Sequence, residues 1–175
     1  MKPRLVLLDA NVIIEAFRIG VWDRLVARVE VIVARSVFED ESVHWFVPAT
    51  GERKYIDLAR YASEKKVRVV DGSIASYAGI RKRLPRSLAL HTGELESLAW
   101  LTESDEPACF CTADRAAVRA AVFLDLSERL VSLEVLLEDH AVARSAGGKL
   151  RPQFLERLLK DWRTQAQIEK LQAGH

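Results

Sequence analysis

Leu5–Leu8 is an unbroken apolar run, the pattern of a strand buried on both faces, and Asp9 follows it at once. Val12, Ile13, Ala16, Phe17 and Ile19 then recur at helical spacing up to a break at Gly20, and Asn11 is the expected N-cap of that helix. Trp22, Leu25, Val26 and Val29 restart the stripe as a second short helix. The β-branched run Glu30–Ala34 predicts the second strand. Ser36 is the expected cap of a helix carried through Val37, Phe38, Glu41 and Trp45, ended by a loop at Pro48, Thr50 and Gly51.

Further on, Tyr55 to Ala62 reads as a helix with Ile56, Ala59 and Tyr61 leaning inward. Val67–Val70 is the third strand, closed by Asp71-Gly72, and Ser73 caps a helix from Ile74 to Leu84 that ends near Pro85. Thr92 is the expected cap of a helix from Glu94 to about Leu101. Ala108–Cys111 is the fourth strand, followed by Thr112-Ala113-Asp114 and by a small-residue helix from Ala116 to Phe123. Leu130-Val131 is a short fifth strand before a helix that starts at Leu133. Strands alternating with helices predict a parallel α/β sheet. Gly147-Gly148 interrupts the pattern, so the chain divides into a main domain, 1–146, and a C-terminal helical extension, 147–175. Phe154, Leu155, Leu158, Leu159 and Trp162 give the extension an apolar stripe that must dock, on its own domain or on a partner.

A length of 175 residues suffices for a proper core. The net charge of +1 excludes a grossly basic protein and leaves nucleic-acid contact to a local patch. Cys109 and Cys111 have no second pair and do not make a zinc site. They read as small buried residues of a reducing compartment. Lys2 and Arg4 precede only a short apolar run, and no segment approaches membrane-spanning length, so a cytoplasmic protein is expected.

Acidic residues recur at informative addresses. Asp9 ends the first strand, Glu39-Asp40-Glu41 lies after the second, Glu94 and Glu96 open the helix before the fourth, and Asp114 ends the fourth. A lone Asp after a strand is ordinarily a turn or cap residue, and only the set argues for more. If the first and fourth strands are neighbours, Asp9 and Asp114 stand side by side at the carboxyl edge, where ligands of open parallel sheets gather. Carboxylates packed together oppose one another's ionisation unless a cation neutralises them. All-oxygen donors select hard ions such as Mg²⁺ or Mn²⁺. Such an ion can activate water for in-line attack on a phosphodiester.

Leu-Leu-Asp9-Ala-Asn11-Val-Ile-Ile-Glu, Gly93-Glu94-Leu-Glu96-Ser-Leu-Ala and Thr112-Ala-Asp114 together resemble the PIN-domain family, nearest its stand-alone prokaryotic members that include VapC-like toxins. The resemblance covers roughly residues 5–137. It implies a three-layer sandwich around a central parallel sheet of about five strands, and a Mg²⁺- or Mn²⁺-dependent ribonuclease. Asp9, Glu94 and Asp114 fall on the family's first, third and fourth acids. The second falls on Asp40 or Glu41, with Glu41 preferred. Asn11 and Thr112 match supporting polar positions, and Glu96 could replace Glu94 if the helix is rotated. The resemblance also implies an RNA substrate and, for toxin members, an antitoxin partner. A homodimer formed through helices is a further expectation.

Arg115 and Arg119, next to Asp114, are the candidate phosphate contacts, ahead of the Arg81, Lys82, Arg83, Arg86 cluster. Trp22, Trp45 and Trp100 read as core more readily than as base-stacking residues, and His91 as a turn residue or a neighbour of the site. The competing classes are a non-catalytic RNA- or protein-binding scaffold and a phosphoacceptor domain. The phosphoacceptor fits poorly, because Asp9-Ala10-Asn11 lacks the paired acids such domains use.

Overall fold

The computed structural model describes residues 5–39, 44–47, 49–142 and 148–173. Its centre is a parallel sheet of β1 (Leu5–Leu8), β2 (Glu30–Ala34), β5 (Val67–Val70), β6 (Cys109–Cys111) and β7 (Leu130–Val131), in the order β5-β2-β1-β6-β7. The chain lays β2 and then β5 on one side of β1, and crosses back to place β6 and β7 on the other. The strand order therefore reverses between β1 and β6, which pair directly with Leu8 opposite Cys111. An open sheet has its natural crevice beyond the carboxyl ends of two such strands, because the helices that follow them diverge to opposite faces.

Alternation along β1 sorts the two cores. Val6 and Leu8 face one layer with α1 (Ala10–Arg18), α2 (Trp22–Val26), α4 (Leu58–Ser63) and α8 (Leu133–Asp139). Leu5 and Leu7 face the other, with α5 (Ile74–Arg83), α6 (Thr92–Glu103) and α7 (Arg115–Phe123). All four β1 residues are buried, as the unbroken apolar run requires. The result is a three-layer α/β sandwich. The C-terminal helix α9 (Pro152–Ala173) docks on its own chain, setting Leu155 and Leu158 against Val118 of α7.

Several local expectations are corrected. Asp9, not Asn11, occupies the N-cap of α1, and Asn11 is an exposed residue of its first turn. Ser36 lies inside the short helix α3 (Arg35–Glu39) and does not cap it. The helix drawn through Trp45 is replaced in part by a strand, β3 (His44–Phe46), antiparallel to β4 (Arg53–Tyr55). Tyr55 is thus extended, and Leu58 and Tyr61 of the later-starting α4 point inward while Ala59 is exposed. Helical spacing misled here because Phe38 and Trp45 fall at i and i+7, which fits a helix face, although His44–Phe46 pairs as a strand. His91, not Thr92, is the N-cap of α6.

Gly72 has a packing reason. A Cβ there would come within 2.7 Å of the Ala99 Cβ, so the absent side chain lets α6 approach the end of β5.

Candidate functional site

Buried polar groups meet at the carboxyl edge of β1 and β6. Asp9 is 5% exposed and its backbone N–H donates to the Cys111 carbonyl, continuing the β1–β6 ladder one residue past the strand. Its side chain makes no cap bond to α1. Instead, Oδ2 accepts from the Thr112 hydroxyl at 2.9 Å. That hydroxyl oxygen in turn accepts from the Asp114 backbone N–H at 3.0 Å. A single Thr, 4% exposed, therefore joins the first strand's acid to the fourth strand's acid.

Burial pushes the Asp9 carboxyl above its ordinary range. The Thr112 hydroxyl and the Ala10 N–H act in the opposite sense, the Asp114 charge adds to the rise, and His91 offsets part of it. Asp114 and His91 are therefore close enough to feel Asp9, which makes His91 both a helix cap and a neighbour of the site.

Asp114 has a second attachment. It is the N-cap of α7, and its Oδ1 accepts from Ala116 N–H at 2.6 Å and Ala117 N–H at 3.1 Å. These are two of the helix's unpaired donors, and a carboxylate there also meets the favourable end of the helix dipole. Glu94, 5% exposed, turns back in the same manner, with Oε2 accepting from His91 N–H at 2.9 Å at the start of α6. Glu96 goes elsewhere: its Oε2 accepts from both the Ser36 N–H (2.7 Å) and hydroxyl (2.6 Å). Burial and then the Glu96 charge push the neighbouring Tyr77 phenol up to about 12. Glu96 is thus a buried clasp between α6 and the first turn of α3.

Of the expected acids, the described residues set Asp9 near Asp114. Among the described residues, no three His, Cys, Asp or Glu side chains stand close enough to hold one metal ion. Asp9 and Asp114 are brought together, while the orphan N–H groups at the starts of α6 and α7 claim oxygens of Glu94 and Asp114. Asp40 and Glu41, the two candidates for the second acid, lie outside the described residues. Glu39 is an exposed helix charge paired to Arg35 at 2.9 Å.

The basic candidates separate. Arg115 is exposed at the start of α7, with its guanidinium 5.9 Å from the Phe154 ring. Arg119 is committed to α9: it stacks over Trp162 at 4.7 Å and pairs with Glu169 at 3.2 Å. Its expected phosphate role gives way to holding the C-terminal helix. Arg81–Arg86 falls at and beyond the end of α5, where a helix following a parallel strand has returned to the amino edge of the sheet, opposite Asp9. Arg83 there pairs with Asp125, just past the end of α7. Trp22 is core, stacked on Phe17 and edge-on to Tyr61.

A groove of about 370 Å³ beside Asp114 is lined in part by Asn11, Glu15, Arg18, Ala113 and Lys149. Glu15, Arg18 and Lys149 were not among the expected site residues. Asn11, Glu15 and Arg18 lie at i, i+4 and i+7, a polar stripe opposite the apolar face of α1 that the sequence does contain. Lys149 comes from beyond the Gly-Gly break, and only the fold brings it here.

No family model, curated protein or solved structure matches this chain. The class that the fold and edge define is an α/β sandwich with a buried acid, Asp9, beside a partly buried one, Asp114, at its topological switch point. No helix among the described residues is long and apolar enough to cross a membrane.

Proposed function

We propose that the chain is a Mg²⁺- or Mn²⁺-dependent ribonuclease of the PIN type, with its site at the β1–β6 edge. The observation that carries this reading is the buried Asp9 carboxylate held by Thr112 beside Asp114, at the point where strand order reverses. A helix start alone does not need a buried acid tied to the Thr112 hydroxyl of another strand and set beside a second acid. The donor set fits a hard cation: it is all oxygen, and Mg²⁺ commonly takes one or two carboxylates and completes its shell with water and substrate phosphate. Asp9 and Asp114 would hold the ion, with Glu94 and Asp40 or Glu41 flanking it. Bound there, the metal supplies a water of lowered pKa and charge stabilisation for phosphodiester hydrolysis. Thr112 fixes the Asp9 rotamer, Asn11 and Lys149 line the groove in which the RNA strand runs, and Arg115 offers a phosphate contact. A cognate antitoxin covering the groove and a homodimer formed through helices belong to the same proposal; co-purification and sedimentation test them, and a strictly monomeric profile counts against the dimer.

The test incubates purified protein with single-stranded and structured RNA, with Mn²⁺ or with EDTA, beside Asp9→Asn and Asp114→Asn. Cleavage that requires the metal and both acids supports the reading, and wild-type-like cleavage by either variant ends it. One observation favours a non-catalytic scaffold: Asp114 and Glu94 already serve as helix caps. A melting temperature indifferent to Mn²⁺ and Mg²⁺ would select that alternative.

A further inference from the structure

The ribbon β3–β4 stands apart from the main sheet, and its composition is not explained by packing. Its pairing places His44 opposite Tyr55 and Phe46 opposite Arg53, so these four side chains share one face, while Trp45 and Lys54 take the other. Phe46 is 56% exposed and Tyr55 69% exposed, among the most exposed large apolar side chains described. The four groups contact one another. His44 meets Phe46 edge-on at 5.3 Å and Tyr55 at 6.1 Å, and the Arg53 guanidinium lies 4.8 Å from the Tyr55 ring. Arg53 also reaches the His44 Nδ1 at 3.2 Å. β3 lies against α1, the helix that Asp9 starts. A nine-residue helix is only about 13 Å long, so the ribbon is within a few nucleotides of the acidic edge.

We infer that the exposed face of this ribbon, Phe46 and Tyr55 with Arg53 and His44, is a stacking platform for the bases of single-stranded RNA. The inference rests on reading the acidic edge as an RNA-cleaving site and adds to it a base-binding subsite on the ribbon. Rings set beside a guanidinium match a polymer that offers π-faces and phosphates in turn. Two strands of three residues span about 10 Å each, enough for two or three stacked bases. Duplex RNA keeps its bases stacked inside and cannot use the platform.

The test titrates a labelled twelve-nucleotide oligouridine, and a duplex of equal length, into the full chain in EDTA, reading anisotropy. Phe46→Ala with Tyr55→Ala should weaken single-strand binding tenfold or more, with an unchanged melting curve because both rings are exposed. Tyr55→Phe should bind as wild type. Arg53→Ala should reduce the slope of log K against log salt by about 0.7. No oligouridine binding by the wild type, or equal affinity in the double variant, overturns the platform, the latter returning the ribbon to a protein-docking edge. Since no metal is present, this result stands apart from cleavage. Lost affinity supports the platform even if Asp9→Asn still cuts RNA, and unchanged affinity defeats it even if Asp9→Asn is inactive.

Discussion

The Thr112 hydroxyl donates to Asp9 Oδ2 across 2.9 Å, linking residues 103 positions apart at adjacent strand ends. The same oxygen accepts the Asp114 N–H, so one side chain sets the relation between both acids.

Thr112→Val keeps the shape and removes the hydroxyl. It leaves a buried carboxylate without its principal donor and the Asp114 N–H without its acceptor. Urea unfolding should show a loss of about 1–3 kcal/mol, and metal-dependent cleavage should fall with it. Thr112→Ser should restore most of both. A valine variant as stable and as active as wild type would remove Thr112 from the site.

Asp9 makes a signed prediction for pH. Its carboxyl is raised in the folded chain, chiefly by burial. Its contribution to stability is therefore complete below the unfolded pKa and is lost as pH rises through the folded one. Without divalent metal, Asp9→Asn should be more stable than wild type at pH 8 and should lose that advantage as pH falls towards 4. Parallel denaturation series in EDTA read this, and an advantage independent of pH would contradict it.

Asp114 serves two purposes that different substitutions separate. Asp114→Asn retains an oxygen for Ala116 and Ala117 and should unfold close to wild type, without metal-induced stabilisation. Asp114→Ala loses the cap as well, at a further cost of about 1 kcal/mol. Equal melting temperatures for the two variants in EDTA would show that the cap bonds contribute nothing.

Glu96 should matter for folding more than for chemistry. Glu96→Ala strands the buried Ser36 N–H and hydroxyl and should cost about 2–4 kcal/mol, since hydrogen bonds to charged groups are the stronger kind. Glu96→Gln should recover part of this. If instead Glu96→Gln folds normally and abolishes cleavage, Glu96 is a site acid after all.

Lys65 sits at φ 57° after α4, where its exposed side chain has a Cβ penalty that glycine lacks. Lys65→Gly should raise the urea midpoint by an amount corresponding to roughly 0.5–1 kcal/mol. A lowered midpoint would mean that the lysine side chain contributes more than the strain.

The main-sheet strands were legible in the sequence because each is a short, mostly apolar run, a pattern that depends only on local composition. Leu5–Leu8, Glu30–Ala34 and Val67–Val70 are found where the pattern puts them. The acids at strand ends were legible for the same reason, since the end of a run can be counted. The ribbon was not, because His44, Trp45 and Phe46 fit a helix as well as a strand until the pairing with Arg53–Tyr55 decides between them. The destinations of the charged side chains were also beyond local pattern. Glu94, Glu96 and Asp114 look alike in sequence, yet one caps its own helix, one clasps another helix and one joins Asp9. Arg115 and Arg119 sit on one helix, yet α9 claims the latter. Sequence determined which residues could be buried and where carboxylates stood along the chain. Tertiary structure decided which unsatisfied donor each carboxylate met, because those donors come from strand order and helix packing, which no single segment specifies.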